Sequence, residues 1–560
     1  MKVIIIGGVA GGASAAARLR RLDEKAQIIV LERGDFISFA NCGLPYYIGG
    51  KITDEKNLTL QTPGSFKARF NIDVRVNNEV MAIDTKRNTL TIKNLSEATT
   101  YEETYDKLIL SPGAKPIIPP IDGTSSNKVF TLRNIPDTLK IKNYIKETNP
   151  KTAVVVGGGY IGLEMAENLA KIGLKVCVVE LANHLIASLD FDMAADVHKY
   201  LCENGVDLIL GNAVTSIKED ENSLHISLQN GEITADMLIM AVGVRPENEL
   251  AIAAGIDVNK KGYIITDENM KTNVQNIYAV GDVVEVKQFL TNKKVSIPLA
   301  GPANKQGRIA ADAICGIAST YTGTQGSAIL KIFNMTVATT GINEKTAIDA
   351  KIDFDKTYIY SASHANYYPG ATNMSIKVIW DKLSHKLLGA QIVGYDGVDK
   401  RIDVLATAIR FGAKVTQLTQ LELCYAPPFG SAKDPVNMVG FVAQNVISGK
   451  VKQFFCEDVD SLPRDGSVTL LDVRTKSEVM RGNIDGFMNI PLDSLRENID
   501  KIETGKAVYI HCHSGLRSYI ACRILTGYGF DCFNLAGGYR LYESVVKNKT
   551  ACEYICTQCK

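Results

Sequence analysis

One pattern occurs twice in this chain and limits what it can fold into. An apolar run, Val3–Ile6, leads into a glycine-rich turn. An Ala- and Arg-rich segment, Ala13–Leu22, follows, then a second apolar run, Ile28–Leu31, that ends on Glu32. The same order returns over Thr152–Glu180 as TAVVVGGGYIG, LEMAENLAKIG and LKVCVVE. Short continuous apolar runs suit strands covered on both faces, and the segments between them suit helices. Glycines between strand and helix let the backbone approach a pyrophosphate at the helix N-terminus. An acidic residue about 20 positions on can hold a ribose hydroxyl. The second unit satisfies this with Gly157, Gly159 and Gly162, then Glu180. In the first, Gly7 and Gly12 fit and Glu32 follows, while Val9 stands at the middle glycine beside Gly8. Two such units imply two dinucleotide-binding domains.

The 560 residues leave room for about three to five domains. Strand-like segments ending in small residues, KLILSPGA, LIMAVGVRP and IYAVGD, lie between and after the two units. From about Gly326 the pattern suggests an antiparallel sheet followed by helices to about Ser448, and the last hundred or so residues restart as a small α/β unit. The expected fold class is α/β: two Rossmann-like domains, an α+β domain and a small α/β domain. The expected boundaries are 1–150 and 266–325 for the first dinucleotide domain, 151–265 for the second and 326–448 for the third. A linker at 449–458, a terminal domain at 459–547 and a cysteine-containing tail at 548–560 complete the reading. A net charge of +1 gives no pull toward nucleic acid or a membrane surface, and no run of about 20 apolar residues predicts a membrane span. The glycines that cut the first apolar run argue for a buried strand rather than a signal peptide. Twelve scattered cysteines then point to a reducing, cytoplasmic setting rather than a disulfide framework.

The layout from Met1 to about Ser448 resembles the two-dinucleotide-fold flavoprotein reductases. That resemblance implies FAD in the first unit and NAD(P)H in the second. The FAD candidates are Gly7, Gly8, Ala10, Gly11, Gly12, Glu32, Arg33, Gly113 and Ala300, with Asp282 of NIYAVGD on the ribityl chain. The NAD(P)H candidates are Gly157, Gly159, Ile161, Gly162, Glu164, Glu180 and Gly243, with Glu164 on the nicotinamide side. A carboxylate at Glu180 repels a 2′-phosphate and favours NADH, with NADPH still open.

Chemistry in the first domain points to Cys42, in SFANCGLPYY, which has no second cysteine within a few residues. It must cycle through a mixed disulfide, a persulfide or a sulfenic acid. Its thiolate is expected to be favoured by a positive helix end or by the flavin. SFANCGLPYYIGG, PLAGPANKQGRIAADAI and YAPPFGSAKDPVNMVGFVAQN are similar to coenzyme A disulfide reductases. By that resemblance Tyr367 and Tyr425 reach over the redox cysteine of a partner subunit, which implies a homodimer. Ser14, Arg18, Arg21, Ser38, Asn41 and Lys433 match coenzyme A-contacting positions, and Lys67 and Arg69 add cations for its phosphates.

Residues 459–547 resemble a rhodanese domain through LLDVRTKSEVMRGNIDGFMNIPL, YIHCHSGLRSYIACRIL and FNLAGGY. The loop from Cys512 to Arg517 lies between an apolar strand and a helix. Its backbone N–H groups form an anion nest, and Arg517 at its edge is expected to stabilise the Cys512 thiolate and persulfide. Asp472 and Arg474 are expected to be structural. Cys552, Cys556 and Cys559 are read as part of a tail, and no metal site is expected. The leading functional expectation is an NAD(P)H- and FAD-dependent reductase of coenzyme A disulfide or persulfide. Cys42 acts as redox nucleophile and Cys512 as carrier of sulfane sulfur. The alternatives are an NADH oxidase or peroxidase cycling through a Cys42 sulfenic acid, and a redox-sensing sulfur-relay protein.

Overall fold

Val3, Ile4 and Ile5 have no solvent exposure, as a central strand of a parallel sheet requires. In the computed structural model, which describes residues 1–553, the strand Lys2–Ile6 lies between Lys107–Leu110 and Gln27–Leu31. Ile277–Ala279 and Asp73–Arg75 extend this parallel sheet at its two edges. The second dinucleotide unit repeats the arrangement, with Thr152–Val156 paired in parallel to Lys175–Glu180 and to Met237–Met240. Each glycine turn runs directly into a helix, Ala10–Leu22 in the first case and Tyr160–Lys171 in the second. Gly7 and Gly157 hold left-handed φ values of +96° and +109°. A Cβ at Gly7 would lie 2.1 Å from the Ser111 carbonyl oxygen, and one at Gly157 would lie 2.4 Å from that of Ala241. Both turns therefore exclude a side chain on two counts, conformation and space.

By contact density the chain divides into two units, Met1–Val179 with Asn212–Gly326, and Glu180–Gly211 with Ser327–Lys560. The second holds the antiparallel sheet expected after Gly326. Its strands run Ala328–Ile332, Met335–Gly341, Leu387–Gly394, Asn373–Asp381 and Phe354–Ala362 in spatial order. The helices Val398–Arg410 and Pro435–Ile447 follow it.

The expected linker at 449–458 is corrected. Lys452–Phe454 is a strand, paired in parallel with Asp531–Leu535 at the edge of the C-terminal sheet. Three residues carry too little periodicity to announce a strand, and the pairing partner lies far along the chain. The remaining strands of that sheet are Ala507–His511, Thr469–Asp472 and Met488–Asn489. This small domain is fastened to its neighbours in the same unit. Lys356 pairs with both Glu344 and Glu457, at 2.9 and 2.6 Å. Gln453 donates to Thr357 at 2.9 Å and Ser544 donates to Asp196 at 2.8 Å. Lys377, fully buried, is compensated by Asp190, Asp192 and Glu344. Burial alone would strip its charge, and three carboxylates more than offset this. The last helix, Gly538–Glu553, runs on into the segment expected as a tail, whereas Cys556 and Cys559 lie outside the described residues. Among the described residues no helix is long and apolar enough to cross a membrane.

Candidate functional site

The first glycine turn presents a helix start whose preceding residue, Val9, supplies no side-chain cap. Its first N–H groups are thus left for an anion. Glu32, at the end of the neighbouring strand, accepts from the N–H groups of Gly8 and Gly34, both at 3.0 Å. Those bonds pin the carboxylate beside the turn, where a ribose would sit. Asp282 is largely buried and its pKa is raised by that burial, with Arg133 the opposing influence. A carboxylate held out of water at this place suits a ligand rich in hydroxyls. Ala300 opens the helix Ala300–Ile314, and Gly113 is held in a left-handed turn. The residues present fit FAD.

Sequence reading missed Arg133. Its guanidinium donates to the Pro112 carbonyl and pairs with Glu247, which also binds Arg33. Burial lowers the Arg133 pKa, with Glu247, Asp282 and Glu32 acting against it. Only the fold brings these separated positions together, so no local spacing could have shown it.

Cys42 lies on the short turn Asn41–Gly43, ahead of the helix Leu44–Ile48. It has accessible surface, yet the surrounding protein raises its pKa. Partial burial is the main cause, followed by the carboxylates of Glu164 and Asp282. The positive helix end anticipated for this thiol is therefore not the dominant influence. Glu164, on the helix Tyr160–Lys171, is itself pushed up to about 7, chiefly by burial. Tyr46 donates to it at 3.2 Å, and desolvation with the adjacent carboxylate raises the phenol in turn. The structure thus joins Cys42, Tyr46 and Glu164 into one electrostatic group, and Tyr46 is a member the sequence reading did not assign.

For the second dinucleotide, Gly159 caps the helix without a side chain, and Ile161 stands exposed in its first turn. A Cβ at Gly162 would lie 2.0 Å from the Gly157 carbonyl oxygen, and Gly243 turns at a left-handed φ. Glu180 ends its strand and accepts from the Ala182 N–H at 2.8 Å. These residues fit a nicotinamide dinucleotide.

A cavity of about 400 Å³ opens beside the first helix, lined in part by Ser14, Arg18, Arg21 and Ser38. Four expected substrate positions thus share one site. Gln61, Asn304 and Arg308 line it as well and were not anticipated. Arg18 is already paired with Asp312 at 2.7 Å, and Ser14 donates to Asn304 at 2.8 Å. Lys67 and Arg69 do not line the cavity. Their helix, Pro63–Phe70, turns Phe66 and Phe70 toward it, while Lys67 donates to Asn71. Asn41 is on the exposed turn that carries Cys42. In the other unit Lys433 is exposed, and Tyr367 and Tyr425 meet hydroxyl to hydroxyl at 2.8 Å. Both rings remain open to solvent, Tyr367 at 76 % exposure.

The second cysteine has different surroundings. Cys512 is completely buried between the strand Ala507–His511 and the helix Leu516–Gly527. Its sulfur accepts from the Gly515 N–H at 3.1 Å and from the Ser518 hydroxyl at 3.3 Å. Arg517, expected to stabilise the thiolate, acts on Cys512 through its charge, while its guanidinium forms two bonds to Glu478, at 2.8 and 2.5 Å. Asp472 and Arg474 form a fully buried pair, with the guanidinium 4.0 Å over the Tyr539 ring. His511, packed beside them, is lowered to about 4 because burial outweighs the nearby Asp472. The nine cysteines from Cys42 to Cys532 are all free thiols.

Comparison with known proteins agrees with this anatomy. Residues 1–307 match the model of the pyridine nucleotide-disulphide oxidoreductases, and 327–435 match their dimerisation domain. Residues 456–544 match the rhodanese-like domain. A coenzyme A disulfide reductase of Staphylococcus epidermidis is 37% identical over 445 residues, covering 79% of this chain and all of that protein. The reduced CoADR-RHD of Bacillus anthracis superposes with a TM-score of 0.95 at 48% identity, covering 98% of each chain. A NAD-dependent persulfide reductase from A. fulgidus gives a TM-score of 0.91 at 37% identity, over 97% of this chain and 100% of its own. The chain belongs to the pyridine nucleotide-disulphide oxidoreductase family and carries a rhodanese-like domain at its C-terminal end.

Proposed function

We propose that this protein uses NADH to reduce coenzyme A disulfide and coenzyme A persulfide, with Cys42 as the redox nucleophile and Cys512 as a carrier of sulfane sulfur. The observation that carries the reading is the cradle around Cys512, two donors aimed at one buried sulfur in a chain that also holds a flavoprotein-type cysteine. A reductase of plain disulfides has no use for such a cradle. The likeness to a coenzyme A disulfide reductase and to a NAD-dependent persulfide reductase supports the same choice.

FAD, when bound, passes on the electrons taken from NADH. The protein's own residues do the rest. Cys42 thiolate attacks the sulfane sulfur of the persulfide, forming a new S–S bond and releasing coenzyme A as thiolate. Two electrons then return Cys42 from its hydropersulfide to thiolate and release hydrosulfide. With the disulfide, the intermediate is a mixed disulfide and both products are coenzyme A thiol. Ser14, Arg18, Arg21, Ser38 and Arg308 form the wall of the cavity proposed to hold the substrate's nucleotide end. Tyr367 and Tyr425, contributed by a partner subunit, donate to the departing thiolate, so the working enzyme is a homodimer. Glu164 lies beside the nicotinamide, and Glu180 selects NADH. The free thiols agree with a reducing, cytoplasmic setting.

The test is anaerobic NADH oxidation with coenzyme A persulfide and with coenzyme A disulfide, in wild type, Cys42→Ser and Cys512→Ser. The proposal expects turnover in wild type, none in Cys42→Ser, and survival in Cys512→Ser on the small persulfide. NADH consumption only when oxygen or peroxide is admitted would establish an oxidase instead.

A further inference from the structure

The loop that holds Cys512 is ringed by three arginines, and each guanidinium is already engaged. Arg474 is bound by Asp472 at 2.7 Å. Arg540 packs over the Tyr360 ring at 4.4 Å. Arg517, nearest the loop in sequence, is bound twice by Glu478. Glu478 is itself fixed. Its carboxylate accepts from the Thr475 N–H at 3.0 Å and the Thr475 hydroxyl at 2.9 Å, closing a reciprocal cap on the helix Lys476–Met480. It cannot swing away from Arg517 without opening that cap. The Arg517 bonds hold its carboxyl well below the usual carboxylate range, so it stays charged. His513, beside Cys512, is biased toward its neutral form chiefly by burial. The loop thus offers N–H and O–H dipoles to a substrate, with the Arg517 charge cancelled by a neighbouring carboxylate.

We propose that the Glu478–Arg517 pair is a charge filter. It admits organic hydropersulfides to Cys512 and disfavours dianionic donors, of which thiosulfate is the simplest. The proposal rests on reading Cys512 as a sulfane-sulfur carrier. With a hydropersulfide, the Cys512 thiolate attacks the terminal sulfur, the S–S bond of the donor breaks, and a thiolate leaves. The sulfane sulfur moves with its proton, formally as SH+, with no net oxidation. With thiosulfate the same attack expels sulfite, and Arg517, already paired with Glu478, is not free to take up its two charges. A donor with two charges to place therefore loses the guanidinium that would stabilise its leaving group.

The experiment loads the full FAD-containing enzyme with coenzyme A persulfide or thiosulfate and follows the mass of the Cys512 peptide with time. The proposal expects wild type to load from the persulfide, and from thiosulfate at least about tenfold more slowly, the scale of one hydrogen bond to a charged group. Glu478→Gln, which removes the competing charge and keeps the size, should raise the thiosulfate rate on the order of tenfold. The double variant Glu478→Gln/Arg517→Gln should lose that gain. A second measurement needs no variant. In wild type, 3-mercaptopyruvate, whose single charge is remote from its sulfur, should load faster than thiosulfate. Equal loading of wild type by all three donors overturns the filter and leaves the carrier reading intact. So does a Glu478→Gln variant with an unchanged donor ratio. Absence of loading from every donor overturns the carrier reading itself, and the filter with it.

Discussion

Cys42 and Cys512 are both reactive-cysteine candidates, yet the protein treats them in opposite ways. Cys512 is fully enclosed, and two donors point at its sulfur. Cys42 is accessible, and its main charged neighbours are two carboxylates that disfavour the thiolate. Backbone and hydroxyl donors already point at one sulfur. The protein around the other disfavours its thiolate through burial and two carboxylates.

The largest break in the comparison is Cys42→Ser. NADH-dependent turnover of coenzyme A persulfide should fall about a thousandfold or more, as for loss of any covalent nucleophile, while sulfur loading of Cys512 continues. Loss of both together would mean that the two sulfurs are not separable.

Next comes pH, where the two regions should respond with opposite sign. His511 has its pKa lowered to about 4 by burial. The unfolded state therefore binds the extra proton, and stability present above about 6.5 is lost as pH falls toward 4. Glu164 is raised to about 7 by burial, so the folded state holds the extra proton and stability declines as pH rises from about 4.5 to 7. Each effect is bounded at about 3 kcal/mol. Hydrogen exchange in the helices Leu516–Gly527 and Tyr160–Lys171 reads the two separately, and His511→Gln or Glu164→Gln should flatten only its own profile. Parallel profiles would refute the assignment.

Ser518→Ala removes one donor to the Cys512 sulfur, and loading should slow on the order of tenfold. The smallest effect belongs to Glu164→Gln at Cys42. Removing that carboxylate should move the thiol's titration to lower pH, read by thiolate absorbance in the FAD-containing enzyme. A shift to higher pH would contradict the electrostatic account.

Much of this was readable before any fold was known, and the boundary has a physical cause. The glycine turns, Glu32, Glu180 and the Cys512 loop are set by spacings within a single βαβ or strand–loop–helix segment. Local chemistry of that kind survives in a linear pattern. Arg133 beside Glu247, Asn304 beside Ser14 and Glu478 on Arg517 join positions far apart in the chain. Their types are ordinary surface types, so nothing local marks them. Lys67 and Arg69 are the complementary case: their helix borders the cavity, but its two phenylalanines, not its cations, line it.

The edge strand Lys452–Phe454 bears on how far the C-terminal module can be taken apart. A fragment started at Cys456, where the likeness to rhodanese domains begins, would leave out the neighbour of Asp531–Leu535. The backbone donors and acceptors along that strand would then face water as an open template for another chain. The same cut would forfeit Lys356 and Asp196, the residues that grip Glu457 and Ser544. Recombination that trades this module between proteins must therefore carry the seam with it, or yield a domain that adheres to copies of itself.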